Sequence, residues 1–108
     1  MTPASTVIED ITFTARDGLR LHARHYSPRE ASPVARRPVL CLPGLTRNGR
    51  DFHDLAVALS GMQGLTRDVY TLDYRGRGLS EYDPDWRNYA VPIEMLDVAD
   101  FITLQDLA

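Results

Sequence analysis

The run Val39-Leu40-Cys41-Leu42 is apolar at every position and stops at Pro43-Gly44. A strand covered on one face alternates apolar and polar residues. An unbroken apolar run belongs instead to a strand covered on both faces, as in parallel sheets. Parallel strands cannot be joined by a tight turn, so this strand calls for a crossover, normally a helix. The next residues supply one: Asn48 is placed to cap a helix reaching about Ser60, with Phe52, Leu55, Ala56 and Leu59 on one face and Gly61 or Gly64 as its stop. A second β-rich run, Val69-Tyr70-Thr71-Leu72, completes a β-α-β unit whose crossover is expected to be right-handed.

Before Pro38 the pattern is different. From Val7 to Thr14, Ile11 and Phe13 alternate with Thr12 and Thr14; after the turn signal Asp17-Gly18, Leu19, Leu21 and Ala23 alternate with Arg20, His22 and Arg24. This predicts an antiparallel hairpin. Residues 1–6 are polar and small and are expected to be frayed, and residues 27–37, with Ser27, Pro28, Ser32 and Pro33, read as a loop. Asp73 to Trp86 reads as a second loop. Pro92 suits a first helical turn, and Ile93 to Leu107 reads as a helix. Met95, Leu96, Val98, Phe101, Ile102 and Leu104 spread over much of that helix, so it expects cover on more than one side. The predicted fold class is α/β: an antiparallel hairpin, a parallel β-α-β unit and a C-terminal helix, within one domain of 108 residues.

Composition narrows the partners. The formal net charge of −3 argues against nucleic acid and anionic membrane surfaces, which select basic proteins. All 12 basic residues are Arg, but they are spread along the chain, which fits codon usage better than an anion-binding cluster. The one cysteine, Cys41, excludes an internal disulfide and reads as a buried small hydrophobe. No apolar stretch is long enough to span a bilayer, and residues 1–9 lack a signal-peptide pattern, so the expected location is the cytoplasm.

Two segments carry potential chemistry. In Leu42-Pro43-Gly44-Leu45-Thr46-Arg47-Asn48, a glycine follows a buried strand and precedes a helix start. Backbone amides turned into a cleft there stabilise negative charge on an oxygen. By itself, such a segment is most often an ordinary strand-to-helix turn. The second segment is Asp73-Tyr74-Arg75-Gly76-Arg77-Gly78-Leu79-Ser80. A dinucleotide loop needs a third glycine opening a helix, and a triphosphate loop needs Gly-Lys-Ser/Thr in a chain that has no lysine. An RNA-binding Arg-Gly reading is opposed by the acidic tract that follows. His22, His25 and His53 read as surface or partly packed residues, Asp83 and Asp85 as a solvated acidic turn, and no spacing suggests a metal or other cofactor.

Taken together, the two segments and the order of elements resemble the N-terminal half of the α/β-hydrolase fold. In that family the fourth strand leads into an Asp-x-Arg-Gly-x-Gly-x-Ser loop, which Asp73, Arg75, Gly76, Gly78 and Ser80 match position by position. The third strand leads into an HG-type loop, here with Pro43 in place of the His. The resemblance covers nearly all of residues 7–107. It implies that the backbone N–H of Leu45 forms half of an oxyanion hole, with Gly44 and Thr46 beside it, and that Asp73 and Arg75 organise their loop rather than catalyse.

The family's nucleophile elbow, Gly-x-Ser-x-Gly, occurs nowhere in the sequence. The resemblance therefore implies a serine-type hydrolase of esters or related carbonyl compounds that is present only as its N-terminal part and is inactive alone. A small-molecule substrate would be bound only once a C-terminal half completes the domain. The nucleophile itself, Ser or Asp, is left open. The family's strand order puts the fourth strand between the second and the third, so strand 38–42 has a free border. That border is expected to take a complementary chain or a second copy. The alternative function is a non-catalytic interaction module, or a decayed hydrolase, that pairs through this edge.

Overall fold

A computed structural model describes residues 6–29, 37–44, 49–61, 66–105 and 107. Strands β1 (Thr6–Thr14), β2 (Arg20–Pro28), β3 (Val39–Cys41) and β4 (Val69–Asp73) form a four-stranded mixed sheet in the order β1-β2-β4-β3. A 3-10 turn over Gly49–Phe52 runs into α1 (His53–Gly61), and a second, over Trp86–Asn88, precedes α2 (Val91–Leu104). The sheet is thus the mixed α/β arrangement expected, with the antiparallel pair first and the parallel pair β3–β4 second.

The hairpin turns where Asp17-Gly18 predicts. Gly18 has φ 93°, a left-handed conformation that costs glycine little, and its N–H donates to the Ala15 carbonyl at 2.8 Å. The pairing runs further than the alternation suggests. Thr6 lies opposite Pro28 and Val7 opposite Ser27, so β2 includes Ser27 and Pro28, which the sequence assigns to a loop. Proline is tolerated at the end of a strand, where no further ladder donor is needed. Thr6, expected in the frayed start, is a buried residue of β1, with Oγ1 3.0 Å from Ser60 Oγ.

The two sheet faces carry two apolar clusters. On one, Phe13, Leu21, Ala23, Tyr70 and Leu72 meet Val98 and Phe101 of α2. Phe101 is fully buried, its ring centroid 5.1 Å from Phe13 and 5.7 Å from Tyr70. On the other, Tyr26, Cys41 and Val69 meet Ala56 of α1. Every residue of β4 is buried, the condition that its sequence pattern implies. Cys41 is buried, and desolvation raises its thiol pKa.

The last helix starts at Val91 and ends at Leu104, earlier at both ends than the apolar pattern suggests, with Pro92 in its first turn. It turns Glu94, Asp97, Val98 and Phe101 inward and leaves Met95, Leu96 and Leu104 exposed. The cover expected on a second side is not supplied by the described residues. β3 borders the sheet, with β4 on one side and no described strand on the other. Among the described residues, no helix is long and apolar enough to cross a membrane.

Candidate active-site loops

Because β3 and β4 run parallel with Cys41 opposite Thr71, the loops that follow them leave the same end of the sheet. Pro43 is buried and Gly44 exposed at the end of β3. Leu45, Thr46 and the helix-capping Asn48 lie outside the described residues. The chain is described again from Gly49, whose N–H donates to Asp73 Oδ1 at 2.7 Å. The 3-10 turn before α1 is therefore tied to the last residue of β4.

Asp73 is the centre of that tie. Its Oδ2 accepts the Leu79 N–H at 3.0 Å and lies 2.7 Å from His22 Nδ1, and its backbone carbonyl accepts the Ser80 hydroxyl at 2.6 Å. Ser80 Oγ in turn accepts the His22 N–H at 2.8 Å. Gly78 has φ 52°, and a Cβ there would run into the Asp73 carboxylate, so the loop can wrap the side chain only with glycine at this position. Gly76 donates its N–H to the Glu81 carbonyl at 2.9 Å.

His22, expected to be a surface or partly packed residue, is buried in the sheet. β2 lies directly beside β4 with His22 opposite Asp73, whose carboxylate also accepts the Gly49 N–H. The side chain is buried, with Nε2 2.8 Å from Asp10 Oδ1. His22 is the first cause, and Arg24 the second, that holds the Asp10 carboxyl below its usual range. His22, Arg24, Gly49, Thr71 and Asp73 line a cleft of about 340 Å³. The other two histidines lie elsewhere. His25 stacks on Tyr70 and reaches Asp68 at 3.0 Å, and His53 Nδ1 is 2.8 Å from the Tyr26 hydroxyl.

Arg75 is 1% exposed and organises the rest of the loop. Its Nε and Nη2 donate to the two oxygens of Asp97 at 2.8 and 2.6 Å, and its Nη1 donates to Asp17 and Asp83, each at 2.8 Å. One guanidinium thus joins the hairpin turn, the β4 loop and α2. These partners raise its pKa, Asp97 most. Arg75 lowers the carboxyl pKa of Asp17. That of Asp83 is lowered first by the Asp85 N–H, then by Asn88 and Arg75. Asp97 is raised, because burial outweighs the attraction of Arg75. Asp83 is therefore not part of a solvated acidic turn: it is 6% exposed and held by Arg75 and Asn88. Asp85 keeps a surface role, capping the 3-10 turn through the Arg87 N–H.

The sequence reading missed His22, Asp10, Asp17 and Asp97. Asp97 carried a readable signal, since an acid on the buried face of an apolar helix needs a cationic partner. Two of the described backbone donors of these loops, the Gly49 and Leu79 N–H groups, are taken up by Asp73. The described serine hydroxyls, Ser27, Ser60 and Ser80, all donate to backbone carbonyls. Among the described residues, no group of three His, Cys, Asp or Glu is placed to hold a metal ion.

No protein-family model matches the chain. Over 87 residues it is 40% identical to a 3-hydroxybutyrate-oligomer hydrolase from Cupriavidus necator, a match covering 81% of this chain and 26% of that protein. It superposes on the crystal structure of an α/β-hydrolase from Novosphingobium aromaticivorans with TM-score 0.81 and 41% identity, covering 93% of this chain and 32% of the other. A haloalkane dehalogenase from Agrobacterium tumefaciens shares the fold at 18% identity and TM-score 0.70, covering 93% of this chain and 30% of that one. The chain spans about a quarter to a third of the length of these relatives. With the strand order, the Asp73–Ser80 loop and these matches in agreement, the chain belongs to the α/β-hydrolase superfamily and carries the N-terminal part of its fold.

Proposed function

We propose that the chain is the N-terminal part of a serine-type α/β-hydrolase acting on esters or related carbonyl compounds. In this reading the backbone N–H of Leu45 is one of two oxyanion donors. The nucleophile, acid and histidine come from a C-terminal segment that completes the domain, and the 108 residues alone do not turn over substrate. The observation that carries the reading is the tie between the two loops. Gly44 leaves the C-terminal end of a parallel strand, and the chain returns at Gly49 onto the buried Asp73 carboxylate. Gly44 and Gly49, the described residues on either side of Leu45, lie at the end of the sheet where α/β proteins bind ligands. The 40% identity to a 3-hydroxybutyrate-oligomer hydrolase, a name that implies ester cleavage, supports esters over the halide and epoxide chemistries of more distant structural neighbours.

The reading is tested by assaying p-nitrophenyl ester hydrolysis with the 108-residue chain alone and with the same chain continued through a strand, a Gly-x-Ser-x-Gly elbow and the rest of the domain. Turnover only in the completed domain is expected. Steady turnover by the 108 residues alone contradicts the proposal.

A second reading rests on the free border of β3. In it the chain is a non-catalytic module that pairs through residues 38–42 with a complementary strand or a second copy. Binding of a partner strand or a second copy by the 108 residues through 38–42, with no acyl-enzyme formed by the completed domain, favours it.

A further inference from the structure

We propose that His22 is a positioning residue for Gly49, four residues after the proposed Leu45 donor, acting through Asp73. The inference deepens the oxyanion reading and rests on it. Gly49 opens the 3-10 turn that runs into α1, and its N–H donates to Asp73 Oδ1 at 2.7 Å. A carboxylate at a strand end can rotate, so its second oxygen must be held for the first to stay aimed. Two donors hold it. Leu79 N–H comes from a loop residue that is 66% exposed, whereas His22 Nδ1 comes from the middle of the sheet, directly across from Asp73. The firmer of the two is His22.

Both ring nitrogens of His22 face a carboxylate, Nδ1 that of Asp73 and Nε2 that of Asp10. Asp10 from β1 faces Nε2, and Arg24 from β2 holds the same Asp10 oxygen at 3.2 Å. The Ser80 hydroxyl takes the His22 backbone N–H, and Arg50 of the 3-10 turn lines the same cleft. His22 belongs to neither apolar cluster, so its burial serves polar contacts rather than core volume. The path is Asp10, His22, Asp73, Gly49: from an outer strand of the sheet to the start of the 3-10 turn before α1.

The two ring nitrogens have separate duties, which makes the role testable. Asparagine places an N–H near the Nδ1 position and glutamine near Nε2. His22→Asn can therefore keep the Asp73 contact while dropping Asp10, and His22→Gln does the reverse. The experiment is amide hydrogen exchange by NMR on the 108-residue chain, read at Gly49 and at Leu72 as a core control. His22→Gln and His22→Phe are expected to speed Gly49 exchange by about tenfold, with His22→Asn close to the unsubstituted chain and Leu72 unchanged in all. Equal exchange at Gly49 in the Asn and Gln variants, or no change with Phe, overturns the proposal.

Should a substitution unfold the chain, the unsubstituted protein still decides the matter. A slowly exchanging Nδ1 proton of His22 with a nuclear Overhauser contact to the Leu79 amide is expected, and its absence refutes the clamp. Exchange at Gly49 involves no substrate. A failed clamp therefore shows in the exchange rates, whereas a failed oxyanion assignment leaves them as expected and shows only in the turnover of the completed domain.

Discussion

Arg75 and Asp97 join the β4 loop to α2 by two parallel hydrogen bonds, Nε to Oδ2 at 2.8 Å and Nη2 to Oδ1 at 2.6 Å, with both side chains almost wholly buried. Removing the cation strands Asp97 and Asp83 in the interior. Arg75→Met is expected to cost about 3–5 kcal/mol in urea denaturation, the range for breaking one side of a buried pair. Arg75→Met combined with Asp97→Leu is expected to cost less than Arg75→Met alone, because no buried charge is left unpaired at that contact. A double variant less stable than the single one refutes this account of the cluster.

The same carboxylates set the response to acid. Asp10, Asp17, Asp83 and Asp100 have pKa values lowered in the folded chain from an ordinary 3.8. A lowered folded pKa means that the unfolded chain binds the proton more readily. Their contribution to stability is therefore complete above pH 3.8 and is lost as pH falls through the folded values. Asp97 has the opposite sign: its folded pKa is raised, so its protonation favours the folded state as pH falls. Stability followed by denaturation from pH 6 to pH 2 is expected to fall most steeply below 3.8, and Asp17→Asn is expected to flatten that fall.

Two glycines with positive φ should respond differently to alanine. At Gly18, φ 93°, a Cβ meets nothing within 4 Å, so only backbone strain applies and Gly18→Ala is expected to cost about 1 kcal/mol. At Gly78, φ 52°, the Cβ also collides with the Asp73 carboxylate, which cannot move without releasing Gly49, Leu79 and His22. Gly78→Ala is expected to cost at least about 1 kcal/mol more than Gly18→Ala by thermal or urea denaturation. Equal costs contradict the central place given to Asp73.

The border of β3 that faces no described strand is expected to show in solution. Leu42, 37% exposed, stands where that border ends. The 108-residue chain is expected to self-associate in sedimentation experiments, and Leu42→Lys, which places a charge on the edge, is expected to shift it toward monomer. A stable monomer at high concentration without the substitution contradicts the idea.

Much of the fold was legible. The unbroken run Val39–Leu42 implied a parallel strand, which forms over Val39–Cys41 with Leu42 exposed beyond it, and the alternation from Ile11 to Arg24 implied the hairpin, a local record of which side each strand shows to water. The loop Asp73–Ser80 was legible because glycine spacing and side-chain order are fixed by how tightly the loop wraps Asp73. What could not be read depends on pairing between distant segments. His22 looks like a polar position in an alternating strand, and only the placement of β2 beside β4 buries it against Asp73. Asp83 looks like one acid in a polar loop until Arg75 is known to reach it. The extension of β2 to Pro28 depends on what Thr6 and Val7 offer across the hairpin, which the sequence of β2 does not contain.

The central claim is that the turn after β3 presents a backbone donor, and a substitution that removes only that donor tests it most directly. In the completed domain, Leu45→Ala keeps the N–H and Leu45→Pro deletes it. The account predicts ester turnover within a few-fold of the unsubstituted enzyme for Leu45→Ala and a kcat lower by about 10²–10³ for Leu45→Pro, with both variants equally folded. Equal kcat in the two variants would contradict it.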